Sequence, residues 1–540
     1  MDPFVAEEDR VEDEIENTLT HTAPSKPAPS TPSTAKKLLV SVSLANLCLL
    51  PAWYTVVFQF RFFARTLLAV DYFAIWANIA IFSLLIWALF CIAERVRLLR
   101  WCRYIPFMVV SVVALTEVRR LYFNHAGGLH IPYFLTAGYV RNHFLRGAGA
   151  YAALILLLYL WVQHRRSLLA LGFAVALMVS PFSALLLGQS AWRFFHLHQQ
   201  PASTQTDPTV SPRLSTGNRV LWLILDELDY KAAFESRPPG LNLPVLDSLR
   251  TQSVFATHAY PPSTMTIASI PALLSGRRIT RSKGSGRKLT ITFENGTRGL
   301  DWSQQPNVFS EAHARGVHTA MLGWFIPYCR IHDGAFDFCE WYAKDGLLET
   351  HGLIATMLNQ IHALSPLAVR THHIEVFERM LQQATSLARD PRMGLVVIHL
   401  PVPHEPGIYD WRRNRFTHFA ATADWYFGNL VLVDRTLGNL RRAMQEAGTW
   451  DKTAVMITSD HYWRTSQFPG KRDQRVPLLV KLPNQNHPVV VTQPLTTVIL
   501  HDLVLVLEND RTTPEAVAAW LQQHSGKLPD VLPITAVTNE

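Results

Sequence analysis

Three apolar runs in this chain each end abruptly on polar, chemistry-bearing residues, and this restricts the folds open to it. Val220-Leu-Trp-Leu-Ile-Leu225 runs into Asp226-Glu227. Thr264-Met-Thr266 opens the segment Ile267-Ala-Ser-Ile-Pro-Ala-Leu-Leu-Ser-Gly276, and Ala454-Val-Met-Ile-Thr-Ser459 runs into Asp460-His461. Open α/β sheets hold their ligands at the carboxyl ends of the strands. Further strand-like runs occupy 318–323, 394–400 and 476–482, with helical patterns between them, such as 374–383 and 430–444. Strand and helix alternating in this way predict an α/β domain with a central, mostly parallel sheet covered on both faces. The domain is expected over 218–540, long enough to bury a large core.

The 217 residues before it read differently. Residues 1–37 are acidic at the start (Glu7, Glu8, Asp9, Glu12, Asp13, Glu14, Glu16) and Pro/Ser/Thr-rich afterwards, which suits a disordered cytoplasmic tail and not a signal peptide. Five apolar spans are expected between 38 and 189, at 38–60, 67–92, 104–118, 149–163 and 167–189, because a membrane-crossing helix needs about 20 apolar residues. Lys36-Lys37, the arginines at 95, 97, 100 and 103, and Arg165-Arg166 would mark the cytoplasmic side. An odd number of spans then puts the α/β domain outside a bacterial-type inner membrane, in the periplasm or extracellular space. Residues 190–217 read as a polar, Pro-rich linker, and the 119–148 loop either lies along the membrane surface or simply connects two spans.

The net charge of +8 suits an anionic surface or acidic substrate, but topogenic arginines account for it as well. No basic block is interleaved with aromatics, which argues against a nucleic-acid partner. Of the five cysteines, Cys48, Cys91 and Cys102 fall in or beside apolar spans, while Cys329 and Cys339 either pair across a short loop or stay as two thiols.

The candidate chemistry follows from residue types. Glu227 and Asp460-His461 offer oxygen and imidazole ligands suited to Zn²⁺, with Asp226 as a further ligand or a loop-orienting group. Asp229 reads as a helix cap. Thr266, at the start of a helical run, is the candidate nucleophile: a helix N-terminus favours negative charge, and an adjacent metal lowers a hydroxyl pKa. The plainer reading is that Thr266 or Ser263 only caps that helix. His399 and His404 would bind the transferred group or protonate the leaving oxygen, His404 being favoured by its exposed-looking loop. Lys471, Arg472 and Arg475 form a basic loop to which no role is assigned. Together these residues point to phosphoryl- or sulfuryl-type transfer.

Over roughly 218–485 the chain resembles the alkaline phosphatase superfamily, in its sulfatase-like branch, which includes lipid A phosphoethanolamine transferases and lipoteichoic acid synthases. Thr266-Ile-Ala-Ser-Ile-Pro271 is similar to the transferases' T-A-x-S-V-P pattern, and counting ten residues back from Gly276 reaches Thr266 again. The resemblance implies Glu227, Thr266, Asp460 and His461 as one zinc site, with His399 and His404 matching a substrate-binding His pair. It also implies a membrane-anchored transferase acting on a phospholipid or an anionic glycan. Two departures stand out. Asp-His-Gly-Glu is replaced by Asp460-His461-Tyr462-Trp463, and a further downstream His is absent, which leaves a second metal in doubt. The Cys-x-Pro-x-Arg pattern is missing too, so hydrolysis of sulfate esters through formylglycine is not expected. The alternatives are a hydrolase of phospho- or sulfo-glycans, or a catalytically silent protein that binds such ligands.

Overall fold

The computed structural model describes residues 33–58, 62–63, 67–123, 144–196, 218–508 with short breaks, 512–526 and 536–537. In the N-terminal region helix α1 spans Thr34–Cys48, α2 Ala69–Arg95, α3 Ile105–Phe123 and α4 Phe144–Phe195. The expected tail therefore gives way to helix at Thr34, where the Ser33 side chain accepts from the Lys36 amide. Residues 1–32 and most of the linker and of the 119–148 loop lie outside the described residues.

The expected fourth and fifth spans are one continuous helix of 52 residues, and Arg165-Arg166 lies inside it, not in a loop. The Arg165 guanidinium sits 4.6 Å from the centre of the Trp101 ring, so its charge is met by an aromatic face without any break in the helix. Among the described residues, two helical segments are long and apolar enough to cross a membrane, within Ala69–Arg95 and Tyr159–Phe195. A third is added if the bent pair Thr34–Cys48 and Leu50–Val57 crosses as one. The odd count behind an outside catalytic domain holds only with that pair included.

The α/β domain is organised on β1 (Arg219–Leu225), β2 (Val254–Tyr260), β3 (Thr319–Trp324), β4 (Phe338–Tyr342), β5 (Leu395–Leu400), β6 (Thr453–Thr458), β7 (Val476–Lys481) and β8 (Val489–Val491). Their order across the sheet is β8-β2-β7-β6-β1-β5-β3-β4, with Leu495–Thr496 added beside β2. The sheet is mixed: β7 pairs antiparallel with both β6 and β2, while the other pairings are parallel. The apolar runs at 219–225, 394–400 and 453–459 are central because they are buried on both faces, as parallel strands require.

The helices of this domain include α5 (Thr266–Ser275), α6 (Leu353–His362), α7 (Ala368–Arg389) and α8 (Trp425–Glu446). Helix α5 stops at Gly276, whose φ of +66° suits glycine, and a Cβ there would meet the His501 ring at 2.9 Å. Asp229 caps the helix Tyr230–Phe234 by accepting from the Ala232 amide. Cys329 and Cys339 form a disulfide. The two regions are joined directly. Phe62 is buried in the α/β core and Phe63 stacks on Phe325 at 4.6 Å.

Candidate metal centre

Strands β6, β1 and β5 are neighbours, so their carboxyl ends deliver three polar groups to one edge. The register pairs Ile224 with Thr458 on one side and with His399 on the other. Asp226 thus emerges level with Ser459-Asp460 and with the chain leading to His404. Strand β2 exits in the same direction, and six residues after its end Thr266 begins α5.

The N-cap position of α5 belongs to Met265, with no side-chain cap. Thr266 therefore does not play the capping role that the plainer reading gave it, and Ser263 instead accepts from the Met265 amide at 3.4 Å. Thr266 Oγ1 lies 3.2 Å from His461 Nε2. Amides in the first turn of a helix have no partner within it, so α5 presents N–H groups and the positive end of its dipole beside this hydroxyl.

Asp226, Asp460 and His461 bring their ligand atoms within 4.8 Å of one another, and all three are buried. His461 Nδ1 faces the Tyr462 carbonyl at 3.0 Å. A carbonyl only accepts, so Nδ1 carries the hydrogen and Nε2 turns its lone pair toward Asp226 Oδ1 (3.5 Å) and Asp460 Oδ2 (3.4 Å). Asp460 Oδ1 accepts from the amides of His461 (2.8 Å) and Glu227 (3.2 Å). Ser459 Oγ bonds the Leu225 and His461 carbonyls and accepts from the Leu228 amide, which locks the β1 and β6 turns together.

Glu227 adopts φ +69°, a left-handed conformation that costs a non-glycine residue about 1 kcal/mol or more. Its carbonyl accepts from Tyr426 Oη at 2.7 Å, and its carboxylate lies against Arg464, with Oε1 3.3 Å from Nε. The acidic member of the three-residue group from β1 is thus Asp226. The residue favoured from sequence, Glu227, faces a guanidinium.

His399 is fully buried at the end of β5, its Nδ1 2.9 Å from the Tyr328 hydroxyl and its Nε2 3.9 Å from Asp226 Oδ2. His404 packs on the Trp324 ring, and its Nδ1 donates to the Glu405 carbonyl at 2.6 Å. Buried Asn429 fixes that loop by donating to the His404 and Pro406 carbonyls and accepting from the Ile408 amide. Arg475 pairs with Asp473 and Glu235 and stacks over Tyr230; Lys471 and Arg472 lie outside the described residues.

Burial dominates the electrostatics. It pushes Asp226 well above the usual carboxylate range, helped by the charges of Asp460 and Glu227. It raises Glu227 to about 7 against the lowering effect of Arg464. Burial also lowers His399 to about 4, His404 well below the ordinary imidazole value and His461 below it.

A sulfatase family model matches residues 218–505, more than half of the chain. The chain belongs to the sulfatase family. It is a sulfatase-like enzyme. Among solved structures it is similar to Ps i-CgsB, at 15% identity over 56% of this chain and 74% of that one, with a TM-score of 0.41. It is also similar to the phosphonate monoester hydrolase of Agrobacterium radiobacter (14%, 53% and 73%, TM-score 0.34). A third is the lipoteichoic acid synthase LtaP from Listeria monocytogenes (13%, 56% and 76%, TM-score 0.36). No curated protein sequence matches it.

Members of the superfamily are metal-dependent, and the residues of this sulfatase-family protein fit a cation. Both oxygens of Asp226 and Oδ2 of Asp460 are buried without a hydrogen-bond partner. Buried carboxylate oxygens facing one another and an imidazole lone pair are costly unless a positive charge joins them. Arg464 is the residue that sequence reasoning missed. It touches Glu227 and, at 3.2 Å, Met265 Sδ beside Thr266. Its only signal was the departure from Asp-His-Gly-Glu just upstream. Ser459, Tyr426 and Asn429 gave no signal, because their roles exist only through contacts remote in sequence.

Proposed function

We propose that this protein is a membrane-anchored, metal-dependent phosphoryl-type transferase, similar to phosphoethanolamine transferases, with Thr266 as nucleophile and a phospholipid or anionic glycan as substrate. Asp226, Asp460, His461 and Thr266 would hold one Zn²⁺, and Glu227 lies against Arg464 beside them. When bound, the cation lowers the hydroxyl pKa and offsets charge on the phosphoryl oxygens. Thr266 Oγ1 gives up its proton to solvent and attacks phosphorus, and the bond to the leaving oxygen breaks, that oxygen taking a proton from solvent. An acceptor hydroxyl then displaces Thr266. His404, kept neutral by burial and with Nδ1 committed to the Glu405 carbonyl, offers its Nε2 lone pair to the acceptor's proton, and His399 orients the phosphoryl group. The anchoring helices lie within 69–95 and 159–195, and the α/β domain faces away from the cytosol when the bent N-terminal pair crosses too.

The observation that carries this reading is the 3.2 Å approach of Thr266 Oγ1 to His461 Nε2 at a helix N-terminus, beside carboxylate oxygens without partners. Purified protein incubated with labelled phosphatidylethanolamine should yield a mass adduct on the peptide bearing Thr266, and Thr266→Ala should yield none. An adduct on Ser263 or Thr264 would overturn the assignment. Release of head group to water with no acceptor present would favour a hydrolase.

A further inference from the structure

Helix α6 of the α/β domain is built inside out. Its two buried residues are Thr356 and Gln360, one turn apart, whereas Leu353, Ile354 and Leu358 are exposed, Ile354 at 73% and Leu358 at 61%. A helix on a water-facing surface carries the reverse pattern. The polar stripe faces α2. Gln360 Nε2 donates to the Asp71 carbonyl at 2.9 Å, and Asn78 Nδ2 donates to Gln360 Oε1 and to the Met357 carbonyl, both at 3.1 Å. Asp71 and Asn78 are about 10 Å apart along the α2 axis at 1.5 Å per residue. Helix α6 therefore runs beside the first three turns of α2, whose own outer surface continues as exposed Ile81, Leu84 and Leu85.

We propose that α6 is an interfacial helix whose Leu353, Ile354 and Leu358 face lies in the headgroup–acyl boundary of the bilayer that α2 crosses. The occupant is lipid because α6 is hydrogen-bonded along its polar stripe to an apolar helix long enough to span a membrane, which itself exposes Ile81, Leu84 and Leu85. The inference rests on reading α2 as such a span. Its consequence concerns the site. Helix α6 follows β4, the neighbour of β3, and β3 ends on Trp324, whose ring packs on His399 and His404. One stretch of chain thus ties the substrate end of the sheet to the height of the lipid surface.

The test uses the full chain with Cys48, Cys91 and Cys102 changed to Ala, reconstituted in phosphatidylcholine–phosphatidylglycerol vesicles. A fluorescent label is placed singly through Ile354→Cys, Leu358→Cys, Leu85→Cys on α2, or Gln382→Cys on the exposed side of α7. Nitroxide lipids should quench positions 354 and 358 at a depth of about 5–10 Å, the depth expected of interfacial helices. They should quench position 85 deeper, and position 382 should respond only to aqueous iodide. If 354 and 358 behave like 382 while 85 is quenched by lipid, the inference falls and the span stands. If 85 is also aqueous, both fall. Shielding of 354 and 358 from both quenchers would mean a protein occupant, such as a second copy, and would also overturn the proposal.

Discussion

Strand β1 and helix α2 are both nearly continuous apolar runs, yet the strand buries all of its side chains and the helix divides them between inside and outside. All seven residues of β1 are buried. Helix α2 buries Asp71, Asn78 and Ser83 while exposing Ile81, Leu84, Leu85 and Ile92. The strand is enclosed by protein on both faces, so its only polar outlet is its end, and the chemistry collects there. The helix keeps Ile75, Ile79, Ile86 and Phe90 inside and turns a second apolar face outward, and its polar groups find partners inside, as Asn78 does in Gln360. Hydropathy alone does not say which side of a run is interior. That depends on what surrounds it.

The sheet edge is where one atom should matter most. Thr266→Ala should lower turnover by about 10⁴-fold, as loss of a nucleophile does, while shifting stability by no more than about 1 kcal/mol. Retained turnover with an unchanged melting curve would return Thr266 to a structural role. Next comes the division of labour within the β1 turn. Asp226→Asn should weaken divalent-metal binding by about 100-fold, and Glu227→Gln by about tenfold or less, in metal titrations of the purified protein. The reverse order would restore Glu227 as the ligand from that strand.

Stability separates the two runs more gently. Trp222→Ala in β1 should cost about 3–5 kcal/mol, whereas Leu85→Ala on α2 in detergent should stay within about 0.5 kcal/mol. Equal losses would mean that α2 is covered by protein. The smallest effect is on pH dependence. Burial lowers His332 to about 4 and His373 to about 3. A depressed imidazole contributes stability that is present above its unfolded value near 6.5 and is lost as pH falls through the folded one. The melting temperature should therefore decline as pH drops from about 6.5 toward 4. His332→Leu should flatten that decline relative to the parent. Asp434, raised to about 6 by burial, works in the opposite sense over the same window, so the reading is the difference between variant and parent.

The polar strand ends could be read in advance because a both-faces-buried strand must be apolar until the moment it leaves the sheet. Residues 219–225, 394–400 and 453–459 announce their strands, and their exits announce Asp226-Glu227, the His399–His404 segment and Asp460-His461. Strand β2, partly exposed in its second half, and the edge strand β4 are not legible as strands, since half-buried strands carry a weaker pattern. The merger of two expected spans into α4 was hidden because two arginines look like a loop until an aromatic ring such as Trp101 is there to receive one of them.

The sequence by itself determined the α/β character and the sheet edge that bears the polar groups, and it singled out Thr266 as the candidate hydroxyl, because these depend on local patterning and on spacing along one chain. The tertiary structure alone decided that Asp226 and not Glu227 turns toward Asp460 and His461, since that depends on one left-handed φ angle held by Tyr426 and Ser459. It also decided that Arg464 reaches the helix start and that α6 faces outward with its leucines. Those outcomes come from contacts between residues tens to hundreds of positions apart, and only the folded chain sets these distances.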